Sequence, residues 1–192
     1  MQQENTKERI ILGIDPGTAV MGYGLVKETG PKIELIALGV VKMDKMDDHM
    51  LKLQRIFEKT VALIDNYHPD CLAIEAPFYG KNIQVMLKLG RAQGVAMAAA
   101  LSRNVEITEY APRKIKQSIT GNGNATKEQV AAMLQNLLSF KETPDFLDAT
   151  DGLAVAVCHS FQRTTTGSKT GSKKSYSGWD TFAKDNAKRI VK

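Results

Sequence analysis

The 192-residue sequence predicts an α/β fold: a five-stranded mixed sheet, its first three strands antiparallel and the later ones parallel, flanked by helices. Two observations carry this expectation. In the first third, extended apolar or alternating segments are separated by turns too short for a parallel crossover. Beyond it, apolar strands take turns with segments of helical period, the connection length that parallel pairing needs.

The elements follow in order. IILGID at 10–15 is an apolar strand, PGTA at 16–19 turns the chain, and GYGLVKE at 22–28 alternates as a half-buried strand does. TGPK turns it again, and KIELIALGVVKM at 32–43 completes a meander. Met50, Leu51, Leu53, Ile56, Phe57, Val61, Leu63 and Ile64 then recur at helical spacing until Tyr67-His68-Pro69 stops the helix. CLAIEA at 71–76 is the fourth strand, a helix spans about 82–102, and VEITEY at 105–110 is the fifth strand. From Gly94 that helix is apolar on every side, which calls for a second cover: another helix of the chain or a second subunit. The segment APRKIKQSIT at 111–120 and the turn GNGNA lead to a helix over 126–138, opened by the capping box Thr126-x-x-Gln129. A last helix covers about 146–162.

Composition narrows the class. With 43% hydrophobic and 24% charged residues the chain can bury a sizeable core. No apolar run approaches the ~18 residues of a membrane span, and the start MQQENTKERI is polar, so a cytoplasmic protein with no membrane association is expected. Cys71 and Cys158 each sit in an apolar run and read as buried thiols of a reducing compartment, not as zinc ligands. Residues 163–192 hold eight Lys or Arg against two Asp, a net +6 in a chain whose total is +5; the preceding 162 residues sum to −1. The expected organisation is a flexible N-terminus at 1–8, one domain at 9–162, and a basic, disordered tail at 163–192 suited to nucleic acid or to solubility.

The chemistry sits where acids interrupt apolar segments. Asp15 ends the first strand before Pro16-Gly17, and Glu75 ends the fourth before Ala76-Pro77. If those strands are parallel neighbours, both carboxylates leave one sheet edge, where open α/β sheets place their sites. In FLDATDGLAVAVCHSF, Asp148 and Asp151 are three apart on one face of an otherwise apolar helix. Asp15 could be a turn former and Asp148 a helix N-terminal acid, but a charge ending an apolar strand is costly to bury without a partner. Four acids in one cleft repel, and oxygen-only ligands without Cys or His suit magnesium, with manganese as substitute, in the two-metal clamp of phosphoryl transfer. His159 shares the face of Asp148 and Asp151 but lies ~12 Å along the helix from Asp151, too far to join them.

ILGIDPGTAVMGYGLV, AIEAPFYGKNIQVMLKLGRAQGVA, ITEYAPRKIKQSITGNGNATKEQV and DATDGLAVAVCH together resemble the RuvC-type Holliday junction resolvases, collinearly over about 9–162. The resemblance implies a ribonuclease H-like fold and a homodimeric, magnesium-dependent endonuclease that nicks four-way DNA junctions in pairs, leaving 5′-phosphate and 3′-hydroxyl ends. It places the four catalytic, metal-holding carboxylates on Asp15, Glu75, Asp148 and Asp151, a DNA-facing aromatic on Phe78, and basic residues near the scissile strand on Lys116 and Lys127. It also suggests two ions per site with DNA bound, and a branch-migration motor complex as partner.

The residues read by themselves agree. Phe78 and Tyr79, in a loop with Gly80 that continues through Lys81 and Asn82, can stack on an unpaired base, and Arg113, Lys114, Lys116 and Lys127 gather around the glycine turn 121–123, to meet phosphates or as a solvated basic face. Two rivals remain. Asp15-x-Gly17-Thr18 also resembles the first phosphate loop of actin-like ATPases, which need a second such domain. A non-catalytic junction-binding protein, or a nuclease of the same fold acting on another branched or single-stranded nucleic acid, would keep the basic groove.

Overall fold

The structure is a computed structural model that describes residues 8–77, 82–141 and 146–166, without the side chains of Phe146 and of 163–166. Ten elements follow in the order β1 (Glu8–Asp15), β2 (Val20–Thr29), β3 (Lys32–Lys42), α1 (His49–Tyr67), β4 (Cys71–Glu75), α2 (Ile83–Leu101), β5 (Glu106–Tyr110), α3 (Pro112–Thr120), α4 (Lys127–Leu138) and α5 (Phe146–Thr166). The five strands form one sheet in the order β3-β2-β1-β4-β5. β1, β2 and β3 pair antiparallel; β4 runs parallel to β1, and β5 parallel to β4. Tight turns permit the antiparallel pairs, and α1 and α2 supply the two crossovers.

The sheet is covered on both faces, because alternate residues of its apolar strands point to opposite sides. Leu12, Ile14, Leu72 and Ile74 pack with Ile56, Leu63, Ala92 and Ala96 of α1 and α2. Ile11, Cys71 and Ala73 pack with Ile115, Val130, Leu134 and Leu153 of α3, α4 and α5. No described helix is long and apolar enough to cross a membrane.

The strand order and the antiparallel-then-parallel sense are as expected; two boundaries and one element differ. β1 begins at Glu8, inside the stretch expected to be a flexible terminus, because Arg9 pairs with Glu28 at 2.9 Å and Glu8 with Lys27 at 2.8 Å across the β1–β2 ladder. Those polar residues extend the strand without an apolar signal. α5 runs to Thr166, four residues past the expected end, so its last residues enter the stretch expected to be a tail. The rest of the tail lies outside the described residues. The segment 111–120, to which the sequence assigns no regular structure, is α3: Pro112 opens it, Ile115 and Ile119 bury one side, and Gly121 at φ 74° closes it.

Candidate functional site

The parallel register pairs Ile14 with Ile74, so Asp15 and Glu75, one residue further on, emerge side by side at the carboxyl ends of β1 and β4. α5 crosses β1 and β2 at that edge, and Asp148 and Asp151 lie in its first two turns. Lys127 completes the cluster. The capping box fixes its backbone: Thr126 Oγ1 accepts from the Gln129 amide at 3.3 Å, and Gln129 Oε1 accepts from the Thr126 amide at 3.0 Å. From the first turn of α4 the ammonium donates to Asp151 Oδ2 and stands 3.6 Å from Asp148 Oδ1. Two clefts, of about 650 and 450 Å³, open on this edge and share Asp15, Glu75 and Lys127; the larger adds Asp151 and the smaller Asp148.

Burial and mutual repulsion mark the acids. The Glu75 carboxyl is pushed up to about 8, first by burial, then by the charges of Asp15 and Asp151, with Lys127 and Lys116 pulling the other way. Asp15 is pushed up to about 6, again chiefly by burial and then by Asp151. Asp151 is raised by burial, against its hydrogen bond from Lys127. Burial pulls Lys127 down, but its hydrogen bond to Asp151 and the charges of Asp151, Asp15 and Asp148 outweigh that and hold it above the ordinary lysine range. The four carboxyls thus outweigh the one ammonium, that of Lys127, that touches them, with Lys116 acting on Glu75 and Asp151 through its charge.

As the side chains stand, no three His, Cys, Asp or Glu groups among the described residues converge closely enough to hold an ion. The donor set nevertheless suits a hard divalent cation: it is all oxygen, it gathers at one edge, and a cationic group already lies against two of its members.

The remaining predicted residues fall in three groups. Lys116 and Arg113 line the larger cleft, and the Arg113 stem lies across Gly123, where an added Cβ would come within 2.6 Å of Arg113 Cγ. Asn82 is exposed and caps α2, accepting from the Val85 amide at 3.2 Å. Phe78, Tyr79 and Lys81 lie outside the described residues. His159 keeps to the interior, its Nδ1 2.9 Å from the Tyr110 hydroxyl and its Nε2 3.4 Å from Cys71 Sγ. Neither Cys71 nor Cys158 forms a disulfide. One site neighbour escapes sequence reasoning: Gln93, 7% exposed, donates to the Glu75 carbonyl at 3.3 Å and to Glu109 Oε2 at 2.7 Å, steadying the end of β4. A buried amide in an otherwise apolar helix face was its only signal.

A mixed five-stranded sheet in this order, with acids at the ends of β1 and β4 facing acids on a helix that crosses them, defines the class as ribonuclease H-like. The family model described as Crossover junction endodeoxyribonuclease RuvC matches residues 11–159, and the chain belongs to that family. The Crossover junction endodeoxyribonuclease RuvC of Christiangramia forsetii is 62% identical over 183 residues, 95% of this chain and 93% of its own. That of Bacteroides fragilis is 57% identical over 186 residues, 96% of this chain and 97% of its own. Among solved structures, T. thermophilus RuvC in complex with Holliday junction substrate superposes with a TM-score of 0.74 at 31% identity, over 82% of this chain and 96% of that one.

Proposed function

We propose that the protein is a divalent-metal-dependent endonuclease that resolves four-way DNA junctions by paired, symmetric nicks on opposing strands. The observation that carries this reading is the gathering of Asp15, Glu75 and Asp151 with Lys127 and Lys116 around one cleft, and of Asp148 around the adjoining one. Magnesium, or manganese in its place, would be held by Asp15, Glu75, Asp148 and Asp151 and, as a pair of ions with DNA bound, would supply an activated water and charge on the leaving 3′ oxygen. The chain's own groups do the rest. Lys127 balances carboxylate charge until the substrate arrives, and Lys116 and Arg113 offer cations along the cleft to the phosphates of the cut strand. Phe78 and Tyr79, with Lys81 and Asn82, come three to seven residues after Glu75 in the sequence and would supply aromatic and polar contacts to the DNA.

Paired nicks need two sites, and α2 offers a surface for a second copy. Ile83, Leu87 and Leu101 are exposed on it, and Gly90 and Gly94 open onto empty space. Ile83, Leu87, Gly90 and Gly94 recur every three or four residues and Leu101 lies seven further on, a stripe fit for close helix packing in a homodimer. A branch-migration motor would act on the same junction, in the cytoplasm.

Incubation with a synthetic four-way junction and Mg²⁺, with mapping of the cut positions, tests the reading. Symmetric nicks leaving 5′-phosphates are expected. ATP hydrolysis without cutting, or equal cutting of single strands, would overturn it.

A further inference from the structure

Two of the four acids ride on α5, while Asp15 belongs to the sheet beneath it, so their separation depends on how deeply the helix settles. At the site the two layers meet at Gly22 of the sheet and Gly152 of the helix, neither of which has a side chain. Gly22 is the antiparallel partner of Asp15. A Cβ built on it would lie 2.0 Å from the Asp148 carbonyl oxygen and 3.2 Å from the Gly152 amide nitrogen. From the opposite side, a Cβ on Gly152 would lie 2.5 Å from the carbonyl carbon of Gly22 and from Tyr23 N. Backbone meets backbone here, and backbone cannot swing aside as the end of a side chain can. Neither glycine has the positive φ that favours glycine. What Gly22 contributes is room.

We propose that Gly22 is a positioning residue: by leaving nothing between β2 and the first turns of α5, it sets how far Asp148 and Asp151 stand from Asp15, and with that the size of the cation the cluster prefers. The proposal rests on the metal-dependent reading above. Magnesium demands ligands at about 2.0–2.1 Å in near-octahedral order, whereas calcium accepts 2.3–2.6 Å and looser geometry. A methyl group wedged under α5 therefore penalises the smaller ions more than calcium.

The test uses the full chain without DNA, so that it reads the cation and not the chemistry. Mn²⁺, Mg²⁺ and Ca²⁺ are titrated calorimetrically into wild type, Gly22→Ala and Leu134→Ala, with circular dichroism confirming the fold. Leu134 is a fully buried residue of α4 that lines neither cleft, and its truncation destabilises the same helix layer by a cavity instead of a wedge. Gly22→Ala is expected to weaken Mn²⁺ and Mg²⁺ binding roughly tenfold or more, as loss of supporting structure around metal ligands does, and Ca²⁺ binding less. Leu134→Ala is expected to keep the wild-type order of preference. Should Gly22→Ala fail to fold, Gly152→Ala inserts a methyl into the same seam from the helix side. A folded Gly22→Ala protein with wild-type affinities and order, or the same change in Leu134→Ala, overturns this proposal alone. No binding of any of the three ions by wild type overturns the metal-dependent reading and this proposal with it.

Discussion

Glu75 ends a strand whose other four residues are all buried, and its carboxyl meets Asp15 and Asp151 before it meets a cation. Such a group is expensive to keep charged in the metal-free fold. Its proposed role in cation binding and its cost to stability would therefore be one property, and each can be measured. Replacing Asp15 or Asp151 by Asn, or Glu75 by Gln, is expected to abolish junction cutting while leaving junction affinity within a few-fold, because affinity comes chiefly from phosphate contacts. A variant that cuts at the wild-type rate removes its residue from the site. The cost appears in the pH dependence. Glu75 at about 8 and Asp15 at about 6 both lie above their unfolded values near 4, so the native state holds protons that the unfolded chain has released. Metal-free stability should accordingly fall as pH rises from about 4 to 8 and level off above that. Added Mn²⁺, binding the native state, should flatten the decline. Glu75→Gln should remove the upper part of the slope and raise neutral, metal-free stability by on the order of 1 kcal/mol. Urea melts in EDTA across that range, flat for the wild-type protein, would dispose of the argument.

Among the elements, α4 shows how a local rule places a functional atom. Its capping box orders the helix start, and Lys127 is the first residue inside. Thr126→Ala is expected to lower stability by about 1 kcal/mol and to slow cutting more than it weakens DNA binding, since the loosened turn carries Lys127 away from Asp151. Equal losses in rate and affinity would show that the turn only contributes to binding. That box was legible in the sequence because capping is a four-residue rule, and so was the meander, because short turns leave antiparallel pairing as the sole option. Asp15 and Glu75 were legible as acids interrupting apolar strands. Their adjacency was conditional, since parallel pairing of β1 with β4 is a choice made 60 residues apart in the chain. α3 escaped notice because nine residues with two buried isoleucines give too few turns to register a period. Gln93 and Gly22 escaped for a different reason: what each touches comes from a distant element, and no local pattern announces it.

Along the whole chain, the exposed apolar stripe and the excess of basic residues belong to different segments, and each makes its own prediction. The exposed stripe on α2 belongs to the helix whose buried Gln93 holds the Glu75 carbonyl, so a second subunit docking there would stiffen the end of β4 as well as supply the second nick. Leu87→Glu, at an exposed position, is expected to yield a folded monomer in sedimentation velocity that nicks one strand at a time; an unchanged dimer would move the interface elsewhere. The basic charge lies beyond α5. Residues 167–192 hold seven Lys or Arg against two Asp, with Tyr176, Trp179 and Phe182 interleaved. The family model stops at 159, yet the Bacteroides fragilis relative aligns over 96% of this chain, so the likeness runs well into that segment. In a chain whose first 162 residues sum to −1, we expect the long-range attraction for DNA to come chiefly from this segment. Phosphate contacts release counterions in proportion to their number and carry no sequence information. Deleting 167–192 should therefore weaken junction binding, flatten the plot of log affinity against log salt, and leave the cut positions unchanged. Titrations of the full and shortened chains on one fluorescent junction at several salt concentrations measure the slope, and cut mapping at saturating protein measures the pattern. An unaltered slope would show that the arm does not reach the DNA, whereas lost or relocated cuts at saturation would make it part of the catalytic unit.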